Sequence, residues 1–272
     1  MRAINRELRP GTRLLLGALP FALVIIAYLI GSAIRLADNP ADKLLPALSS
    51  FADAIDRMAF TADTRTGEIL WWVDTVASLA RIGAALVIAT LISLGAGITI
   101  GLLPHVRALF GGFIAVVSMV PPLAILPILF IMLGLGETSK IALIVIGLAP
   151  VMIRDLALRT EELPRQQLIK AQTLGASTFG IVLRVVLPQI LPRLIDSIRL
   201  NLGPAWLFLI AAEAIASESG LGYRIFLVRR YLAMDVILPY VAWITLLAFM
   251  MDVALRRSQD RLFPWFAGAR AA

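Results

Sequence analysis

Apolar runs of membrane-spanning length, separated by short polar turns, set the rhythm of this chain. The first extends from Leu14 to about residue 36, and others cover about Val76–Leu103, Phe110–Leu133, Lys140–Ile153, Leu194–Ala216 and Val236–Leu255. A bilayer's hydrocarbon core asks for roughly 20 apolar residues per helical span. The pattern therefore predicts an all-α polytopic membrane protein of about six transmembrane helices. Two polar stretches break it. Residues 37–75, rich in acidic side chains, read as an extracytoplasmic loop, and Leu44, Leu45, Leu48, Phe51, Ile55 and Met58 at near-helical spacing predict an amphipathic helix within it. Residues 154–192 form the larger interruption, charged at the front, broken at Gly175 and stopped at Leu187-Pro188.

Within the spans, three local features change the picture. Pro121, Pro122 and Pro127 fall in the third run, where they free backbone carbonyls and predict a kinked or broken helix beside a translocation pathway. Gly83, Gly95, Gly97 and Gly101 mark the second run as a close-packing helix. Trp71 and Trp72 read as interfacial anchors, Pro104-His105-Val106-Arg107 as a tight turn, and Ser139 as an N-cap for the fourth span. The first run also has a small-residue site at Gly31-Ser32-Ala33, but it is too long for a signal-peptide core and reads as a span.

Composition agrees with the pattern: 60% of the 272 residues are hydrophobic and 16% charged, too apolar for a soluble chain. The net charge of +7 lies in cations flanking the spans, so it sets topology in a lipid bilayer and does not point to nucleic acid. Arg2, Arg6, Arg9 and Arg13 before the first run, the cations of 154–192, and Arg256, Arg257 and Arg261 after the last place both termini (1–13 and 256–272) and the central stretch in the cytoplasm. Ser217–Asp235 then lies outside despite Arg224, Arg229 and Arg230, which we read as an amphipathic or re-entrant helix whose arginines face headgroups or a partner. With no cysteine and one histidine there is no thiol chemistry and no multi-histidine metal site, and no cofactor is called for. No phosphate-cradling G-x-x-x-x-G-K-[ST] run occurs, so any ATP hydrolysis resides in another subunit.

Asp196, Arg199, Asn201 and Glu213 are polar groups in the fifth run, where ionisable residues are costly and often functional. Asp196 and Arg199, at i and i+3, are positioned to satisfy each other, and Arg199 or Asn201 to meet an anionic solute. A membrane-embedded enzyme is the competing class, but Asp155, Glu161 and Glu162 lack a metal or histidine partner. An ion-driven secondary carrier would show inverted repeats, and none is visible.

Set side by side, these residues resemble the permease subunits of ATP-binding-cassette importers, within the nitrate/sulfonate/taurine/bicarbonate-like group. That family's cytoplasmic motif runs E-A-A, three residues, a glycine, nine more, then I-x-L-P. Here Lys170-Ala171, Gly175-Ala176, Val185 and Leu187-Pro188 stand at those positions, with Ile169-Lys170-Ala171 in place of E-A-A. Ala77-Ser78-Leu79-Ala80-Arg81, the stretch Pro121 to Pro127, Gly134 to Lys140, Ala212-Glu213 and Ser219 to Tyr223 resemble further family blocks, so the likeness covers about 77–255. The resemblance implies a type I importer fold (MetI-like), and a core of five spans over 76–255 that includes a coupling helix in 154–192. It also implies a permease homodimer, a cytoplasmic ATPase subunit gripping Lys170, Ala171, Gly175, Ala176, Leu187 and Pro188, and an extracytoplasmic binding protein. Pro121, Pro122, Pro127, Arg199, Asn201 and Glu213 become its pathway candidates. The missing motif glutamate is expected to be either dispensable or replaced nearby, by Glu161 or Glu162. The solute expected is small and anionic, with a urea-, guanidine- or pyrimidine-precursor-like solute as the alternative.

Overall fold

A computed structural model describes residues 10–266 apart from residue 41, so Arg2, Arg6 and Arg9 and the last residues of the tail lie outside the described residues. Among those described there is no strand. The bundle is built on α3 (Leu70–Leu102) and α6 (Glu137–Glu161), which pack along their length. The small residues of α3 explain the intimacy. A Cβ on Gly97 would lie 2.6 Å from Leu156 Cβ, and one on Gly101 would lie 2.5 Å from Thr160 Cβ, so only glycine admits α6 there. Gly83 and Gly95 face open space. Along α6, Leu143, Ile144, Leu148, Met152 and Leu156 are fully buried, which makes this helix the centre of the core.

The proline-rich run is two helices, α4 (Pro104–Val117) and α5 (Pro122–Leu133), bent by 94°. Pro121 and Pro122 sit at the break, where neither nitrogen can donate to a continuing helix. Pro104 opens α4 at its first turn, so Pro104–Arg107 is helical and not the tight turn expected. Gly134, with φ 77°, ends α5, and α6 begins at Glu137 behind Gly136. Ser139 is therefore inside the helix, donating from Oγ to the Gly136 carbonyl at 2.9 Å, and not its cap. Among the described residues, five helical stretches are long and apolar enough to cross a membrane, or six if the bent pair counts as one.

The first helix, α1 (Pro10–Asp38), presents most of its apolar surface outward. It is tied to the rest through its own following loop: Tyr28 donates to the Pro46 carbonyl at 2.6 Å, Ser32 to the Leu45 carbonyl at 3.0 Å, and Arg35 pairs with Asp42 at 2.5 Å. The expected amphipathic helix is present as α2 (Leu48–Ala59), lying against α3 and α12 (Met234–Leu262). Trp71 is not an exposed anchor. It is buried, its ring 4.5 Å from that of Tyr240 in α12, while Trp72 is exposed and donates from Nε1 to the Ala59 carbonyl at 3.1 Å. Tryptophan at a span's end serves equally as anchor or core, and periodicity does not separate the two.

Candidate functional site

The stretch after α6 is a hairpin of short elements: α7 (Arg165–Thr173), a left-handed turn at Gly175 with φ 82°, and α8 (Thr178–Ile181). Gly175 gives the helix a reversed ending, and the Ala176 amide reaches back to the Ala171 carbonyl at 3.0 Å. Ser177 caps α8, its Oγ accepting from the Gly180 amide at 3.1 Å. Leu168 and Ala171 pack inward, while Lys170 and Ala176 are exposed. Apolar side chains project from the tip: Leu174 is 80% exposed and Phe179 70%, with Ile169 also exposed. An isolated exposed leucine needs no explanation, but three on one hairpin do.

Leu187-Pro188 does not stop this segment. A π-helical turn at Val182–Val186 leads directly into α9 (Leu187–Leu200), and Thr178–Leu200 as a whole is long and apolar enough to span. The π turn loosens the hydrogen-bond register just ahead of Pro188, the Leu187 amide reaching back to the Val182 carbonyl, and the helix continues through a residue that has no N–H to give. The fifth span thus begins in the hairpin itself, and the break comes at Asn201, before α10 (Leu202–Ile215). Glu161 pairs with Arg107 of α4 at 2.5 Å, and Glu162 with Arg193 of α9 at 3.2 Å. Both acidic residues thus brace the hairpin's base from within the chain.

At the opposite end of the bundle, the start of α3 meets the start of α6, the end of α10 and α11 (Leu221–Val228) in a chain of paired charges. Glu213, fully buried in α10, accepts from Arg81 Nη1 at 2.7 Å, Ser78 Oγ at 2.8 Å and the Gly222 amide at 2.8 Å. The other edge of the Arg81 guanidinium binds Glu137 at 2.5 and 2.8 Å, and Nη1 also donates to the Ser219 carbonyl at 2.7 Å. Lys140 joins Glu137 at 2.8 Å and donates to Ser217 Oγ at 3.1 Å. Beside this chain, buried Asp74 accepts from Arg224 Nε at 2.7 Å, the Gly220 amide at 2.8 Å and the Tyr240 hydroxyl at 3.3 Å. Arg224 therefore faces inward, not toward headgroups, because Asp74 offers it a buried partner. Arg229 and Arg230, in a 3-10 turn after α11, are exposed.

This cluster draws together three sequence blocks that stand far apart in the chain: 77–81, 134–140 and 212–223. Asp74, Ser78 and Arg81 recur at helical spacing on one face of α3, a signal available in the sequence. Asp74 falls in the polar stretch 37–75, just ahead of the second apolar run, and reads there as a loop residue. Gly220 and Gly222 let α11 approach: at Gly222 a Cβ would lie 2.8 Å from the Ile210 backbone, and Gly220 has φ 128°.

The other pathway candidates are scattered. Pro121, Pro122 and Pro127 lie at or beyond the α4–α5 bend, and Asn201 closes α9 by donating to the Ser197 carbonyl at 2.8 Å. Arg199 is not satisfied chiefly by Asp196, whose carboxylate is 3.7 Å away. Its bidentate partner is Asp252 of α12, at 2.7 and 3.1 Å. Asp196 instead accepts from Gln259 at 3.0 Å. Neighbours along one helix are visible in sequence, whereas this cross-helix pair is not.

The chain's likeness to known proteins agrees with this architecture. Over residues 89–267 it matches the family described as binding-protein-dependent transport system inner membrane component. The taurine transport system permease protein TauC of Escherichia coli (strain K12) is 41% identical over 195 residues, covering 71% of this chain and 70% of that one. A putative ABC transporter permease protein of Methanocaldococcus jannaschii is 30% identical over 250 residues, covering 91% and 90%. In fold, a chain of the MetNI methionine ABC transporter, solved in inward-facing conformations, superposes with a TM-score of 0.62 at 18% identity, covering 74% of this chain and 98% of that one. The family match spans most of the sequence and the bundle has the same fold, so this chain belongs to the binding-protein-dependent inner membrane components, the permease subunits of ATP-binding-cassette importers.

Proposed function

We propose that this permease carries a small sulfonate-type anion, delivered by an extracytoplasmic binding protein, through a pathway between two copies of itself. The reading rests chiefly on the 41% identity to a taurine permease over most of both chains. Both termini and the α7–α8 hairpin lie in the cytoplasm in this reading, in keeping with the cations at 154–193 and 256–261. A separate ATPase subunit receives the hairpin in a surface groove and moves it as a rigid body. Proteoliposomes holding the permease, its ATPase and its binding protein should take up labelled taurine when ATP is supplied. Uptake of urea or bicarbonate with no taurine uptake would reject the sulfonate reading.

The hairpin's exposed leucine gives a second test. Leu174→Glu is expected to weaken ATPase capture by the detergent-purified permease about tenfold, equal to about 1.4 kcal/mol. The change removes an apolar contact and adds a charge at a position that is exposed in the free chain, so folding is spared. Unchanged affinity in a binding titration would remove Leu174 from the contact.

A further inference from the structure

From the Arg199–Asp252 pair we infer an anion-exchange site, in which Asp252 holds the Arg199 guanidinium until the transported anion displaces it. The inference rests on the anionic-solute reading above. Arg199 Nε and Nη2 meet the two Asp252 oxygens at 2.7 and 3.1 Å, the fork geometry that a guanidinium offers equally to a carboxylate or to two oxygens of a sulfonate. Asp252 is thus an internal stand-in for the ligand's own charge and shape.

The pair's position argues against a sealed structural bridge. Both residues lie in membrane-spanning helices, yet the side chains are 20% and 36% exposed, unlike the sealed Arg81–Glu213 pair. Leu200 and Phe249, on the same two helices as the pair, are also exposed. Hydrocarbon is a poor medium for an open ion pair, so this face is one turned to a water-filled path or to a second copy. Asp196, 3.7 Å from Nη1, supplies a second carboxylate, so Arg199 keeps a partial counter-charge when Asp252 is displaced. The exchange makes and breaks only ionic hydrogen bonds: the anion takes the Nε and Nη2 contacts, and Asp252 turns to water.

Two variants test this, each in the full complex with ATPase subunit. Asp252→Asn removes the internal competitor, so direct binding of methanesulfonate to the purified complex without binding protein should tighten at least tenfold over wild type. The double variant Asp252→Asn with Arg199→Gln should lose that gain. Arg199→Lys keeps the charge facing Asp252 but not the fork. It should cut taurine uptake about tenfold while the complex assembles and melts as wild type does, a loss that a purely structural bridge does not produce. The site is overturned if Asp252→Asn gains no methanesulfonate affinity, or, should that variant fail to assemble, if Arg199→Lys transports taurine like wild type. Wild-type taurine uptake measured alongside keeps the two readings apart. Uptake without the variant effects discards the exchange site alone, whereas no anion uptake by wild type discards the function it serves.

Discussion

Arg81→Ala should destabilise the purified permease by about 3–5 kcal/mol, because it leaves the fully buried Glu213 carboxylate without its cation. Arg81 makes one bond set to Glu213, a second to Glu137 and a third to the Ser219 carbonyl, so its loss releases α6 and the 217–222 segment together. Thermal melting should show the effect, with uptake falling in parallel as the end of the bundle loosens. Arg81→Ala combined with Glu213→Gln should be milder than Arg81→Ala alone, since the charge that would be stranded is also removed. A double variant as unstable as Arg81→Ala would show that the guanidinium acts through packing and the Ser219 contact, and that its charge matters little.

Gly101→Ala should cost about 1–3 kcal/mol, a large effect for a single methyl group. The added carbon would sit 2.5 Å from Thr160 Cβ and 2.7 Å from the Ala157 carbonyl oxygen, and the opposing contact is α6 backbone, which cannot step aside alone. Gly95→Ala is the matched control on the same helix. Nothing lies within 4 Å of its Cβ position, so it should be neutral or stabilise by about 0.5–1 kcal/mol through helix propensity. Melting temperatures of the two variants, measured in one detergent, decide the matter. Equal shifts would mean that the α3–α6 seam is looser than the geometry indicates.

Apolar run length carried most of the fold, because hydrocarbon thickness imposes one dimension on every spanning helix. It located α3, α6 and α12 and the proline-broken pair to within a few turns. Its errors fall where a polar stretch continues a helix. α6 runs on past Ile153 to Glu161, and the fifth span starts at Thr178, well before Leu194. Charged residues at a helix end look like a loop in sequence, though a helix shed of its apolar face remains a helix when ion pairs such as Glu162–Arg193 support it. Proline misled at 188 for a related reason: a π turn just upstream lets the helix continue through it. Gly175 was legible because a positive φ admits few other residues. The charge chain was legible only in part. Ser78, Arg81, Glu137, Lys140 and Glu213 all fell within recognised blocks, but which carboxylate meets which cation depends on helix rotation, and spacing does not encode that. Asp252 belonged to no block and emerged only from the packing of α9 on α12.

The cluster joining α3, α6, α10 and α11 contains Asp74, Glu137 and Glu213 against Arg81, Lys140 and Arg224. Three negative charges face three positive ones. Carrying a unit charge through the membrane field costs about 2.3 kcal/mol per 100 mV, and an assembly with no net charge is spared that work. If this end of the bundle shifts as one body during transport, its displacement is electrically silent, so the cell's voltage neither drives nor resists it.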